Sequence, residues 1–405
     1  MRFTEFIDGV LNWIEALLSG RVGAIIAALA VIGTFLGVIA TIVAILQRRG
    51  RRMLDEYLKL LQRELAAKET EVKEKQLVLE ERERAIKAWE SELDRVRIAV
   101  LQSDEKLWEI RKPRPFPGYH TRINERRPLV MTIGNLKGGV GKTTLAANLA
   151  ADWAIAEGKR VLLMDLDYQG SLSSMMFSAA GRTDVLSQVE AILDGIAQPG
   201  NLANVASYIS LQLPKLPNTW IIPGYYSLAA RENQIMVQWI SSAAIDDVRY
   251  RLARFLLDDR IRQQIDLVIL DTPPRLTAGT VNALCASTHL LVPTKLDRLS
   301  AEAVGPFLNA VKNLKNQVNP SMEFVGVVGT MTQQQHRLSA VEANALELIR
   351  GQLEKVWPQN PHTFNRHIPQ KAAFARAAGQ TIAYLEDKEI RQFIHELGQE
   401  IRSRM

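Results

Sequence analysis

The segment from Leu129 to Ala154 constrains the fold more than any other part of the chain. An apolar run, Leu129-Val130-Met131-Thr132-Ile133, reads as a buried strand. Asn135 to Thr144 follows as Asn-Leu-Lys-Gly-Gly-Val-Gly-Lys-Thr-Thr, and an alanine-rich helix begins at Leu145. Strand, glycine loop and helix in that order form a phosphate-binding loop. Gly138, Gly139 and Gly141 let backbone N–H groups turn inward around phosphate oxygens, so Val140 and Thr144 also line the cradle. The helix N-terminus adds partial positive charge. Lys142 is placed to reach the β- and γ-phosphates, and the Thr143 hydroxyl to ligate Mg²⁺.

The loop departs from the G-x-x-x-x-G-K-[ST] pattern: Leu136 stands at the first glycine position and a second lysine, Lys137, opens the loop. In this it resembles the ParA/MinD family, whose deviant Walker A motif reads K-G-G-x-G-K-[ST]-T. The resemblance implies a dimeric ATPase in which Lys137 crosses to the nucleotide held by the partner. Val161 to Asp165 leads into Asp165-Leu-Asp167-Tyr-Gln169-Gly170, which looks like the family's second acidic motif. On that likeness Asp167 activates water and Asp165 supports the metal site, with Tyr168 where the family often has proline. Leu267-Val-Ile-Leu-Asp271-Thr-Pro-Pro274 matches Walker B, four apolar residues ending on an acid that holds Mg²⁺ through water. Trp220 to Gly224, Phe324 to Thr330, and Ile368-Pro369 before Ala375 to Gly379 continue the resemblance, which covers about 128–402. The family recognises adenine in that last region. The implied fold is α/β: a doubly wound, mostly parallel sheet with nucleotide at the C-terminal strand ends.

The N-terminal third has a different character. Val22 to Gln47 holds no charged residue. At about 1.5 Å per residue it is long enough to cross a hydrocarbon core of about 30 Å. Arg48, Arg49, Arg51 and Arg52 follow it, which puts the C-terminal side in the cytoplasm. Gly33 and Gly37 form a G-x-x-x-G pair within it. Residues 1–21 carry a broad apolar face at helical spacing, an interfacial helix on the outer surface. From Leu54 to Ile110 apolar residues recur at alternating steps of four and three, a coiled-coil seam interrupted by Lys68, Lys75, Arg82 and Ser103. Pro113, Pro115 and Pro117 end it, and basic residues up to Arg127 suggest a solvated hinge. The expected organisation is an amphipathic segment 1–21, a transmembrane helix 22–47, a stalk 48–112, a basic linker 113–127 and the ATPase domain 128–405.

Cys285 is the only cysteine, so no intrachain disulfide forms, as suits a reducing compartment. The six histidines show no metal spacing, and no Ser/His/Asp set emerges. Arg366, His367, Lys371 and Arg376 form a basic group where ParA-like proteins often bind DNA; a solvated surface is the favoured reading here. The expected function is an ATP- and Mg²⁺-dependent dimeric switch on the bacterial inner membrane, its domain cytoplasmic, acting on a protein partner. Two alternatives stand: a tyrosine kinase like those of polysaccharide export, against which Tyr384 is alone in the tail, and a nucleotide-locked scaffold with little turnover.

Overall fold

The computed structural model describes residues 33–34, 36–40, 51–102, 104–182, 188–195, 216–241, 244–334, 337–378 and 380–405. The expected interfacial segment and most of the expected transmembrane helix lie outside these residues; Gly33, Thr34 and 36–40 are helical. Among the described residues no helix is long and apolar enough to cross a membrane. The chain divides into two units, Met1–Glu92 and Leu93–Met405.

In the first unit the heptad region is helical, within α1 (Arg51–Gln102). Leu58, Leu65, Val72 and Trp89 of the expected seam are exposed along it. Lys68 and Lys75 of the seam both pair with Glu71, three and four residues away. Helix α1 is described to Gln102 and a further helical stretch, α2 (Asp104–Glu109), stops short of the prolines; residue 103 between them lies outside the described residues.

The second unit begins at Leu93, well before the expected boundary at Pro128. Trp108 and Tyr119 are the reason: both side chains are buried, with 0% and 1% exposure. The segment 113–127, expected as a solvated hinge, is instead packed. Its helix α3 (Tyr119–Asn124) buries Tyr119 and Ile123, and the Tyr119 hydroxyl donates to the Cys285 carbonyl at 2.6 Å. Arg122 donates to the Leu257 carbonyl, so part of the basic character serves packing and not solvation.

Among the described residues, seven parallel strands form the sheet in the order β3-β2-β4-β1-β5-β6-β7. They are β1 (Leu129–Ile133), β2 (Val161–Asp165), β3 (Thr219–Ile222), β4 (Leu267–Asp271), β5 (His289–Lys295), β6 (Glu323–Thr332) and β7 (Ile368–Pro369). The inner strands are apolar throughout because helices cover both faces. The longer helices are α4 (Lys142–Ile155), α5 (Ser171–Ala179), α7 (Ser227–Ile240), α10 (Ala278–Ala286), α11 (Arg298–Val318), α12 (Ala340–Val356) and α15 (Lys388–Arg402). Shorter ones lie between them: α6 (Val189–Leu193), α8 (Arg251–Leu256), α9 (Asp259–Gln264), α13 (Ala372–Ala377) and α14 (Ala383–Glu386). The strand order reverses around β1, which lies between β4 and β5. A ligand crevice forms at such a switch point, and the glycine loop emerges there. Helix α4 begins at Lys142, three residues earlier than expected, so the second lysine of the loop is already in its first turn.

On the far side of α4, Asp152 is fully buried and locks the C-terminal helix. It accepts from the Tyr384 hydroxyl at 3.2 Å, from Arg402 Nη1 at 3.0 Å and bonds His395 Nδ1 at 2.8 Å. Tyr384, the lone tail tyrosine, is thus a buried structural residue.

Candidate functional site: a phosphate loop with a buried acid pair

The loop is held by bonds from three strands. The Asn135 amide donates to the Pro293 carbonyl at 2.8 Å, Thr272 Oγ1 to the Ile133 carbonyl at 3.0 Å, and Thr330 Oγ1 to the Val140 carbonyl at 2.9 Å. Gly139 and Gly141 have φ of 67° and 83°, which a side chain would strain. Gly138 and Gly139 are exposed, so their N–H groups are open to an incoming anion. Together with the N-terminus of the 14-residue α4 they form an anion cradle.

Lys142 is 7% exposed and turns back over the loop, its ammonium donating to the Asn135 and Lys137 carbonyls at 3.1 Å each. Burial lowers its pKa, opposed by the charges of Asp271 and Asp167. Lys137 points elsewhere: its Nζ donates to Ser300 Oγ at 2.8 Å and lies 3.7 Å from Asp297 Oδ1, at the start of α11. In this single chain, therefore, Lys137 is held by its own subunit.

Asp165 and Asp271 end adjacent strands in register and are both buried. Asp165 Oδ2 accepts from the Ser173 N–H at 2.8 Å and the Ser173 hydroxyl at 2.7 Å, and Oδ1 from the Asp167 N–H at 3.2 Å. Its pKa is nevertheless raised, by burial and then by the Asp271 charge. Asp271 has no hydrogen-bond partner on either oxygen. Burial pushes its pKa up to about 7, with the Thr143 hydroxyl and Lys142 pulling the other way. Asp167 is half-buried, and its Oδ1 accepts from the Gln169 N–H at 3.0 Å.

The unpartnered oxygens of Asp271 test the fit of a divalent cation. A buried carboxylate without partners is costly, and a cation beside it removes that cost. Asp271 and the neighbouring Thr143 supply hard oxygen donors that suit Mg²⁺, which takes few protein ligands and completes its shell with water and phosphate. Asp165 Oδ2 already accepts twice from Ser173, which leaves it less open to a cation than Asp271. Among the described residues no group of three or more His, Cys, Asp or Glu forms a metal site.

A cavity of about 260 Å³ adjoins the loop, lined by Gly141, Thr144, Thr330, Met331, Ile368, Pro369, Gln370 and Phe374. Its side chains were not assignable from the sequence, since the walls come from α4, β6, β7 and α13. Of the basic group near it, Arg366 pairs with Glu396, Lys371 with Glu389, His367 is buried and Arg376 is exposed.

A family model described as an AAA domain matches residues 129–324. The sporulation initiation inhibitor protein Soj of Bacillus subtilis is 32% identical over 202 residues, 50% of this chain and 72% of that protein. The chromosome partitioning protein ParA of Caulobacter vibrioides is 33% identical over 210 residues, 52% of this chain and 72% of that protein. Among solved structures, apo McdA of Cyanothece superposes with a TM-score of 0.54 at 20% identity, covering 68% of this chain and 99% of that one, a likeness of fold.

Proposed function

The chain belongs to the ParA/MinD family, and from that premise we propose a membrane-anchored, Mg²⁺-dependent ATPase that works as a dimeric switch. The observation that carries the ATPase reading is the pairing of the glycine cradle and Lys142 with Asp271, a buried acid at a strand end that faces the Thr143 hydroxyl and the Lys142 charge. Gly138 to Thr144 bind the phosphates, and the cavity beside Thr144 takes the adenine. Thr143 and Asp271 hold Mg²⁺, which supplies charge neutralisation on the phosphate oxygens. Asp167, on the turn that follows β2, orients the attacking water; its partial exposure leaves Oδ2 available for that task. Lys137 exchanges Ser300 and Asp297 for the nucleotide of a second copy when two domains meet. Hydrolysis then releases the pair.

The uncharged stretch from Val22 to Gln47 and the arginines after it support an inner-membrane anchor with the ATPase domain in the cytoplasm. The heptads support association of stalks. An anchored switch would position or regulate a protein partner at the membrane. The ion pairs of Arg366 and Lys371 favour a solvated surface there over nucleic-acid binding. Phosphate release from ATP, with and without Mg²⁺, tests the enzymatic reading; absence of Mg²⁺-dependent turnover together with tight ATP binding would replace it with a nucleotide-locked scaffold. Membrane fractionation and reporter fusions at residue 1 and Met405 test the anchor. Full solubility without detergent, or a cytoplasmic N-terminus, would remove it.

A further inference from the structure

The loop Thr272–Thr277, which leaves the acid Asp271, is gripped at both ends. At one end Thr272 bonds to β1, as described above. At the other the Leu276 carbonyl accepts from the Trp108 indole N–H at 3.0 Å, across 168 residues of sequence. Trp108 is rigidly seated. Its ring stacks on Trp239 at 5.8 Å, and the Trp239 indole donates to the Leu107 carbonyl at 2.8 Å. Arg249, fully buried and doubly bonded to Asp247, lies 4.4 Å over the Trp239 ring and donates to the Trp108 carbonyl at 3.0 Å. A second link joins Arg275 of the loop to Asp104 at 4.0 Å.

A cavity of about 390 Å³ lies between these parts. Trp108 and Leu276 line one side, and Asp167 and Tyr168 line another. Leu276 thus borders this cavity while its carbonyl is held by the Trp108 indole. Residues 104–110 also lie outside the matched family segment, which starts at residue 129.

We propose that Trp108 is a positioning residue for ATP hydrolysis: it fixes the loop after Asp271 through Leu276, and the segment Asp104–Ile110 thereby senses the state of the nucleotide site. Coupling of this kind is reciprocal. What fixes the loop alters turnover, and what occupies the site alters residues 104–110. The proposal rests on the ATPase reading above.

The test uses the full-length protein. Trp108→Phe keeps a ring on Trp239 and removes the N–H. Its kcat should fall roughly two- to tenfold, the range of one hydrogen bond, while the ATP dissociation constant stays within about twofold, since the cradle and base cavity are untouched. A packing role alone would lower Tm and leave kcat unchanged. Hydrogen exchange on the wild-type protein supplies an arm that needs neither the variant nor turnover: Mg²⁺ and ATP should slow the amides of residues 104–112. Unchanged kcat in a folded Trp108→Phe protein, or exchange at 104–112 indifferent to saturating Mg²⁺ and ATP, overturns the proposal. A wild-type protein that binds ATP and shows the exchange change without releasing phosphate keeps the sensing and overturns the ATPase reading instead.

Discussion

Asp271→Asn should stabilise the nucleotide-free protein while destroying its response to Mg²⁺. The reasoning starts from a carboxyl whose pKa stands at 3.8 ordinarily and at about 7 in the fold, raised first of all by burial. A raised folded pKa means that the folded state binds the proton more tightly than the unfolded chain does. Its contribution to stability is complete below pH ~4 and is lost as pH climbs through 7. A rise of about three pH units at ~1.4 kcal/mol each gives an upper bound of roughly 4 kcal/mol. Asp165 shares the burden, because the Asp271 charge raises its pKa too. The uncharged carboxamide of the variant removes the penalty and relieves Asp165. Thermal unfolding without Mg²⁺ at pH 5 and pH 8 measures the effect. The variant should unfold only slightly above wild-type at pH 5, where about one of the three pH units is already lost, and several degrees above it at pH 8, at roughly 2 °C per kcal/mol for a domain of this size. Adding Mg²⁺ with ATP should then raise the wild-type Tm, by roughly 2.7 kcal/mol in stability at a hundred times the dissociation constant, and leave the variant nearly unmoved. A wild-type–variant gap that does not change between pH 5 and pH 8 refutes the buried, unpartnered anion. Equal Mg²⁺ dependence in both refutes the cation site.

Lys142→Ala should weaken ATP binding roughly ten- to hundredfold, the scale of a lost charge-assisted bond, measured by equilibrium titration. Asp167→Ala should bind ATP normally and lose hydrolysis; phosphate release at the wild-type rate would deny it the water-orienting role. Gly398→Ala would put a Cβ 2.5 Å from Asp152 Oδ2 and should lower Tm by loosening α15 from α4, with no direct effect on the cradle. A fragment starting at Leu93 should fold, whereas one starting at Pro128 loses Trp108, Tyr119 and Ile123, each contributing roughly 1.5–3 kcal/mol of burial, and should unfold at lower denaturant concentration; equal midpoints would return those residues to a linker.

Local chemistry made the nucleotide site readable without a structure. A strand, a glycine loop and a helix N-terminus are neighbours in sequence as in space, so the octet from Lys137 to Thr144 declares its geometry by itself. Asp165 and Asp271 were readable for the same reason, each closing an apolar strand. The heptads from Leu54 were legible as helix, but their spacing gave no sign that Trp108, between the seam positions Leu107 and Ile110, turns into the core. Prolines and arginines likewise hid a packed segment behind the composition of a hinge. What the tertiary structure alone decided are the pairings of residues far apart in the chain. Ser300 holds Lys137 across 163 residues, Trp108 holds Leu276 across 168, and the cavity beside Thr144 draws its walls from α4, β6, β7 and α13. The same holds for the isolation of Asp271, since a missing hydrogen-bond partner is a property of everything packed around a group. Sequence spacing encodes short-range periodicity and loop chemistry; which distant surfaces meet is decided by the burial of the whole sheet and its helices.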